Sequence, residues 1–444
     1  GHAGKPLPAP RGRVRQRKMD AAPAPERDPL RWQVAITLAF MALAAWHLGT
    51  PARAYFDEVH YVPAARKLLA LRLANAEHPL LGKEAIAAAM TLLGDRPWVW
   101  RLPSLLAGTL GLFAFGRALW WLSARRFAAL AGMVLLAGDF AWFVQSRIAM
   151  LDMVMAGCAM VALWQVAVAV ARPAGARAHL ALAGAMLGLS LAAKWSVAPV
   201  AALVGLGFAG LRWAAAGRRV LTTPDGPPIP GISLIEAAFW LGTVPLAVYW
   251  ASYLPAYFYP DHPLGEYGIV GWHRMMLQLQ ASVTQHHTYQ TVWWQWLLDS
   301  RGIWYLYEVV DGAQRGVMLI GNPVAMWAGL VALGWGLWAA LARGRHDALA
   351  LVLFFAVSLG MWAVAGKPVQ FYYHYLLPGT FLMALLALML DDLWRQGQWS
   401  SWAAPMLLAA TLGTFVQFYP ILSAAPLAHG RDSFVQWMWL DSWR

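Results

Sequence analysis

Between residues 31 and 420 the chain is a succession of apolar runs, most of them close to 20 residues long, separated by short polar breaks. Backbone inside a bilayer must satisfy its own hydrogen bonds, and a helix of about 20 apolar residues spans the hydrocarbon core. The repetition fixes the class as an all-α polytopic membrane protein. Composition agrees, since only 13% of residues are charged, about half the share of roughly 25% found in soluble domains. Apolar windows place spans near 31–49, 99–122, 127–145, 150–171, 178–193, 195–213, 232–251, 320–342, 347–365, 371–390 and 402–420. That makes about eleven, with ends uncertain by ~2–4 residues. The 27 Trp residues collect near the expected span ends, as interfacial anchors do. The lone cysteine, Cys158, lies inside a span, so no intrachain disulfide can form.

The net charge of +12 is no argument for nucleic-acid binding. Residues 1–18 hold six basic residues and no acidic ones, and without them the balance is 34 − 6 against 22, or +6. Met19 is the expected start. Residues 1–30 then read as an arm, unstructured or in part an added extension, ahead of one transmembrane domain over 31–444. No signal peptide is visible, and the first span is expected to stay uncleaved. Arg125–Arg126, Arg172 with Arg177, Arg218–Arg219, and Arg343 with Arg345 fall on one side, together with the arm. Basic loops stay cytoplasmic, so that side is the cytoplasm and the chain starts there.

Two long segments, about 50–98 and about 252–319, then fall on the outer face. Both are rich in His, Trp, Tyr and charge. "KEAIAAAMTLLG" reads as an amphipathic surface helix and "TVWWQWLL" as an interfacial one. The short outer turns carry charge at bilayer depth: Arg147 and Asp152 in "QSRIAMLD", Lys194 in "AAKWS", Lys367 and His374 in "AGKPVQFYYHY". Such a charge costs about 2.5–3.5 kcal/mol on insertion scales and usually faces a cavity or a partner. With Asp57–Glu58 in "YFDEVHY" at the end of the first span, basic and acidic groups converge on one outer membrane edge.

Clustered Lys and Arg at a lipid boundary suit a phosphate whose tail stays in the membrane, because they stabilise it as a leaving group. A carboxylate beside them can take the proton of an incoming hydroxyl. Those two parts are what an inverting sugar transfer requires. Trp195, Trp293, Trp294, Tyr372 and Tyr373 are candidates to stack on a sugar or pack on a polyprenyl tail.

Several segments resemble, in order along the chain, the motifs of protein O-mannosyltransferases. "YFDEVHYVPAARKLL" with "EHPLLGKEAIA" is similar to that family's acidic pair and His-Pro-Pro-Leu-Gly-Lys element. "RIAMLDMVM", "GLSLAAKWSVAP", "SVTQHHTYQTVWWQWLLDSRGIWYLYE" and "FYYHYLLP" resemble its Arg…Leu-Asp, Lys-Trp, Trp-rich-loop and Tyr-His-Tyr-Leu-Pro elements. The resemblance implies a GT-C membrane glycosyltransferase fold and a polyprenyl-phosphate-linked sugar donor, with mannose as the expected sugar. It also implies transfer to Ser or Thr of proteins on the extracytoplasmic face of a bacterial inner membrane. Asp57 is then the base or acceptor-orienting carboxylate, and Glu58 its partner. Lys83, Arg147 and Lys194 face the donor phosphate, and His78, Asp152, Trp195, His287, Trp294, Lys367, Tyr373 and His374 line the substrate pocket. No cofactor and no divalent metal are expected, and the oligomeric state is left open. Leu80, Leu297 and Lys367 stand where the family usually has Pro, Pro and Arg, and the large soluble insert of eukaryotic members is absent.

Plainer readings stand beside these. Asp57–Glu58 could be a solvated helix cap. Arg147 could pair with Asp152, and Lys194 could snorkel. The Trp cluster could be interfacial packing. His262, His273, His286 and His287 have no zinc-ligand spacing. Asp391–Asp392 read as solvated, and Asp311 has no assigned role. The acceptor could instead be a lipid or an envelope glycan, and a secondary transporter is a third possibility.

Overall fold

The computed structural model describes residues 26–265, 268–282, 284–365 and 367–444; expectations for residues 1–25 lie outside this range. In chain order the helices are α1 (Leu30–Ala45), α2 (Glu58–Leu69), α3 (Leu81–Leu93), α4 (Pro97–Ser123), α5 (Arg126–Ala137) and α6 (Phe140–Gln145). They continue with α7 (Leu151–Ala171), α8 (Ala176–Ala193), α9 (Ala198–Ala216), α10 (Leu234–Ala238) and α11 (Val244–Ala251). The last are α12 (Gly268–Ser282), α13 (Trp293–Leu297), α14 (Pro323–Arg343), α15 (His346–Val364), α16 (Leu376–Gln396) and α17 (Ser400–Phe418). Nine helical stretches among the described residues are long and apolar enough to cross a membrane, against the eleven expected. The other two, α1 and α5, are apolar but shorter. The run read as one span over 127–145 is broken at Gly138–Asp139, where Asp139 leaves helical geometry and caps α6 by accepting from the Trp142 amide at 3.0 Å.

The chain is not wholly α-helical. Ile303–Val310 (β1) and Ala313–Leu319 (β2) form an antiparallel hairpin turned on Asp311-Gly312, both at positive φ. Asp-Gly suits such a two-residue turn because both positions need left-handed backbone. The Asp311 carboxylate accepts from the Ala52 amide at 2.8 Å, so this residue ties the hairpin to the first outer segment. "KEAIAAAMTLLG" lies in α3 as expected, whereas the Trp-rich loop forms only the single turn α13.

The core is organised around α16, in which every residue from Leu376 to Leu388 is buried. α7 packs so closely on α4 that a Cβ on Gly157 would lie 2.5 Å from the Ala107 carbonyl oxygen. By contrast α9 and α11 expose residues such as Leu206, Leu211 and Leu246, as helices facing lipid must.

One end of the bundle is held by charge. Asp391 accepts from Arg125 (3.0 Å) and Arg395 (2.7 Å), and Asp392 accepts from Arg343 (2.5 Å) and Arg345 (2.7 Å). The reading of Asp391–Asp392 as solvated is thereby corrected: both are buried, and they tie the ends of α5, α14, α15 and α16 together. The two arginines on Asp391 are part exposed and can turn to water. Asp391→Ala should therefore cost about 1.5–3 kcal/mol, the worth of hydrogen bonds to a charged group. The measurement is thermal unfolding in detergent, and an unchanged Tm would show that the cluster does not hold these ends.

Candidate active site

At the opposite end the chain leaves α1, crosses residues 46–57 and enters α2. This segment is held by a fully buried ion pair. Arg101, near the start of α4, donates from Nε and Nη2 to the two Glu58 oxygens at 2.8 and 2.9 Å. Its remaining protons go to the carbonyls of Leu48, Pro51 and Arg53. Glu58 also accepts from the amides of Ala149 (2.9 Å) and Tyr55 (3.3 Å). Every strong group of the pair is thus satisfied, the condition for burying such charges. Glu58 was expected beside Asp57 in the chemistry; instead it is wholly buried and fastens the loop to α4 and to the turn before α7. Arg101 was not anticipated, although an arginine inside an apolar run is the same signal that flagged Arg147 and Lys194.

Asp57 faces the other way. It occupies the N-cap position of α2, yet its side chain makes no capping bond and has no hydrogen-bond partner among the described residues. The cap reading is therefore not the one the geometry takes. Burial pushes its carboxyl up from the ordinary 3.8 to about 6, against the pull of Lys194 and with the push of Asp152. The preceding Phe56 is at φ 48, a costly conformation for a residue with a side chain, and such conformations gather at functional sites. Its ring lies on Tyr305 with centroids 3.9 Å apart, and edge-on to Tyr373 at 6.3 Å. The hairpin register slips between Trp304 and Leu306, so Tyr305 is the odd residue of a β-bulge and is aimed into the bundle, where its hydroxyl accepts from Gln145. Tyr305 was also missed in the sequence.

Lys194 follows α8 and donates to both oxygens of Asp152, at the start of α7, at 2.8 and 2.9 Å. Its Nζ sits 4.7 Å from the Tyr373 ring centroid. The partner of Asp152 is therefore Lys194 and not Arg147, and Lys194 does not snorkel. Lys367 has no carboxylate partner among the described residues. Burial lowers its ammonium to about 8, with a further push from Lys194 opposed by Asp152 and Asp57. His374 is buried on the Trp362 ring, with centroids 3.8 Å apart. Its Nδ1 accepts from the Phe371 amide, and its Nε2 has no partner among the described residues. With Asp152 and Ser196 it lines a small cavity of about 10 Å³. His78 lies against Tyr61, and burial followed by Lys194 and Lys83 holds it well below its ordinary range, hence neutral.

Five expected site residues are elsewhere or otherwise engaged. Lys83 Nζ donates to the carbonyls of Ala74, Asn75 and His78, which engages all three protons in shaping the His78 loop. Arg147 likewise donates to the carbonyls of Ala44, Trp46, His47 and Ser423, locking the end of α1. Trp294 is 48% exposed, while Trp296 of the same motif is fully buried against His374. His287 is exposed and packs edge-on to Phe371, a loop support. Trp195 is half-buried, donates to the Tyr249 hydroxyl at 3.0 Å and stacks on His273. Among the described residues no group of three metal-ligating side chains occurs.

Two family models match. Residues 94–257 match dolichyl-phosphate-mannose-protein mannosyltransferase, and residues 267–443 match the C-terminal four-span region of protein O-mannosyltransferase. The chain belongs to the protein O-mannosyltransferase family. Similar proteins include the polyprenol-phosphate-mannose–protein mannosyltransferases of Mycolicibacterium smegmatis, 28% identical with 95% of each chain covered, and Corynebacterium glutamicum, 25% identical with 94% of each covered. The solved Pmt1–Pmt2 complex of S. cerevisiae, bound to its sugar donor, has the same fold. The TM-score is 0.81 at 14% identity, over 94% of this chain and 93% of that one. ArnT from Cupriavidus metallidurans, bound to undecaprenyl phosphate, aligns with TM-score 0.58 and 17% identity, over 91% of this chain and 68% of its own. The protein O-mannosyltransferase assignment makes the chain an integral-membrane glycosyltransferase of the GT-C fold, as its motifs implied.

Within that fold, Glu58→Ala would strand the Arg101 guanidinium with no exposed route to water. The expected loss is about 3–5 kcal/mol of stability, read as a fall in Tm in detergent. A Glu58→Ala protein as stable as wild type would mean that the pair does not hold the Asp57 loop.

Proposed function

We propose that this protein moves mannose from a polyprenyl phosphate to Ser or Thr hydroxyls of proteins, at the outer face of a bacterial inner membrane, with inversion at the anomeric carbon. The observation that carries the roles is Asp57: an unpartnered carboxylate with its carboxyl at about 6, within the fields of Lys194 and Lys367. In this reading the acceptor oxygen bonds to the anomeric carbon as its proton passes to Asp57. The bond from that carbon to the phosphate oxygen breaks, and the phosphate departs with the electron pair. Lys194, steadied by Asp152, and Lys367 meet the charge that develops on the phosphate. They supply the cationic charge that a metal would bring, so transfer is expected to be unchanged by a chelator. His374, Tyr373 and Trp296 would shape the donor pocket. Lipid or glycan acceptors and transport are not favoured, since the relatives aligned over nearly their whole length are named as protein mannosyltransferases. The outer placement rests on the arginine-rich opposite end.

The assay is transfer from polyprenyl-phosphate mannose to a Ser/Thr peptide in detergent. Asp57→Asn should lower the rate by about 10²–10⁴-fold, the usual worth of a positioned base. Its Tm should not fall. The raised carboxyl favours the fold fully below 3.8 and loses that contribution as pH rises through about 6, so at neutral pH removing the charge relieves a cost. Wild-type rates kept by Asp57→Asn would sink the assignment.

The pH–rate profile should be bell-shaped, rising as Asp57 ionises near 6 and falling as Lys367 loses its proton near 8. Lys367→Arg, which stays charged, should flatten the upper limb. An upper limb unmoved by this change would remove Lys367 from the phosphate site.

A further inference from the structure

On the face of the bundle formed by α1, α5 and α17, a groove of about 750 Å³ runs between Phe40, Leu43, Val134 and Phe415. Its outer end is bounded by Trp46 and Tyr419, and the same two residues begin a second pocket of about 350 Å³. The lining, almost entirely apolar in the groove, there takes in His47, Thr50, Arg315 and Ser423 beside Ala424, Ala425 and Pro426. An apolar slot that ends at a pocket edged by these four polar side chains suits an amphiphile lying along the bundle, with its head beside Arg315.

The head pocket also has a charge to match. Arg315, on β2, donates from Nε to the Val310 carbonyl (3.1 Å) and from Nη1 to the Ala424 carbonyl (2.7 Å). Its Nη2 has no partner, and no carboxylate pairs with it, among the described residues. Of its neighbours, Arg101 is paired with Glu58 and Arg53 with Glu308, and Arg147 is engaged by four carbonyls. Glu308, opposite Arg315 in the hairpin register, is taken by Arg53, and a guanidinium with a free Nη2 at the lipid boundary attracts a phosphate. The pocket is also built. Arg147 holds the carbonyls of Trp46, His47 and Ser423, three of its lining residues, so the walls are fixed by the fold. Trp46, 64% exposed, stands where interfacial aromatics stand.

We propose that this groove is a binding site for an anionic phospholipid of the bilayer, separate from the Asp57 site, with one acyl chain between α1, α5 and α17 and the phosphate on Arg315. A lipid seated there braces the end of α1, from which the chain passes directly into the loop that carries Asp57.

Native mass spectrometry of the purified full chain, stripped of lipid and titrated with dioleoylphosphatidylglycerol or dioleoylphosphatidylcholine, tests this. One molecule of the anionic lipid should be retained about fivefold more tightly than the zwitterionic one, the preference expected of one arginine at a membrane surface. Val416→Trp fills the groove from a position that is 71% exposed, and it should remove this retained lipid. Arg315→Gln should keep the lipid but lose the preference. Should Arg315→Gln fail to fold, Val416→Trp and the comparison of lipids still decide. Equal retention of the two lipids, retention unchanged by Val416→Trp, or a two-chain mass that Val416→Trp splits, marking the face as an interface between copies, would each overturn the proposal.

Discussion

Arg101 and Glu58 meet in the dry interior with no exposed atom, and seven hydrogen bonds hold them: five to backbone at Leu48, Pro51, Arg53, Tyr55 and Ala149 and two between the side chains. A buried pair of this kind adds little stability over an apolar pair of equal size, but it is intolerant of any other arrangement. That intolerance is what the site uses. The segment from α1 to α2 contains no regular structure over 46–57, and a loop of that length at a membrane edge has many conformations of similar energy. With Glu58 fixed, the next residue back along the chain is fixed too, so a free carboxylate at Asp57 is presented by an immobile neighbour.

The two acidic residues divide the work by environment. Glu58 has a guanidinium and two amides and serves the fold, while Asp57 has none of these and its lone pairs are left free among the described residues. Asp152 and Lys194 show the same logic one layer deeper: a carboxylate holds the ammonium in place above the Tyr373 ring, leaving a positioned cation whose charge is only partly quenched. Lys367 supplies the unquenched charge. A cluster with two cations and two anions is close to neutral before substrate arrives, which lowers the cost of keeping it at bilayer depth.

Much of this was legible in the sequence. Long apolar runs located the helices, because a bilayer penalises other backbone, but not the breaks within them, as at Gly138–Asp139. The charged turns and the acidic pair after the first span marked Asp57, Asp152, Lys194, Lys367 and His374, which lie together, and also Arg147, which is engaged by carbonyls instead. What escaped has specific causes. Asp311-Gly312, between "IWYLYEVV" and "AQRGVML", is a strong hairpin signal, and it was overlooked because the all-helical expectation had no place for strands. Trp294 and Trp296 are indistinguishable in composition, and only the single turn of α13 decides which points inward. Lys83 and Arg147 are basic residues at the right depth, but whether such a side chain meets a phosphate or a row of carbonyls depends on loop conformation, which no local pattern encodes. Arg101 and the Asp391–Asp392 cluster were legible in principle, since a charge in an apolar run demands a partner.

The hairpin shows why the outer segments must be structured. A reaction on a lipid-tethered phosphate requires its base at the bilayer edge, where water competes for every polar contact and helices end. Rigid helices cannot themselves reach over that edge, so the site has to be completed by loops. Tyr305 is delivered to Phe56 by a bulge in β1, and β1 is held by β2, by the Ala52–Asp311 bond and by the Gln314–Leu427 bridge. The Trp-rich loop is held by the Thr291–Gln370 bridge, next to the turn that carries Lys367 and His374. Two of these ties, the Gln314–Leu427 and Thr291–Gln370 bridges, are backbone pairings that do not depend on side-chain identity, while the Ala52–Asp311 tie needs the Asp311 carboxylate. Side chains carried by the bridged segments can then differ without breaking the backbone pairing.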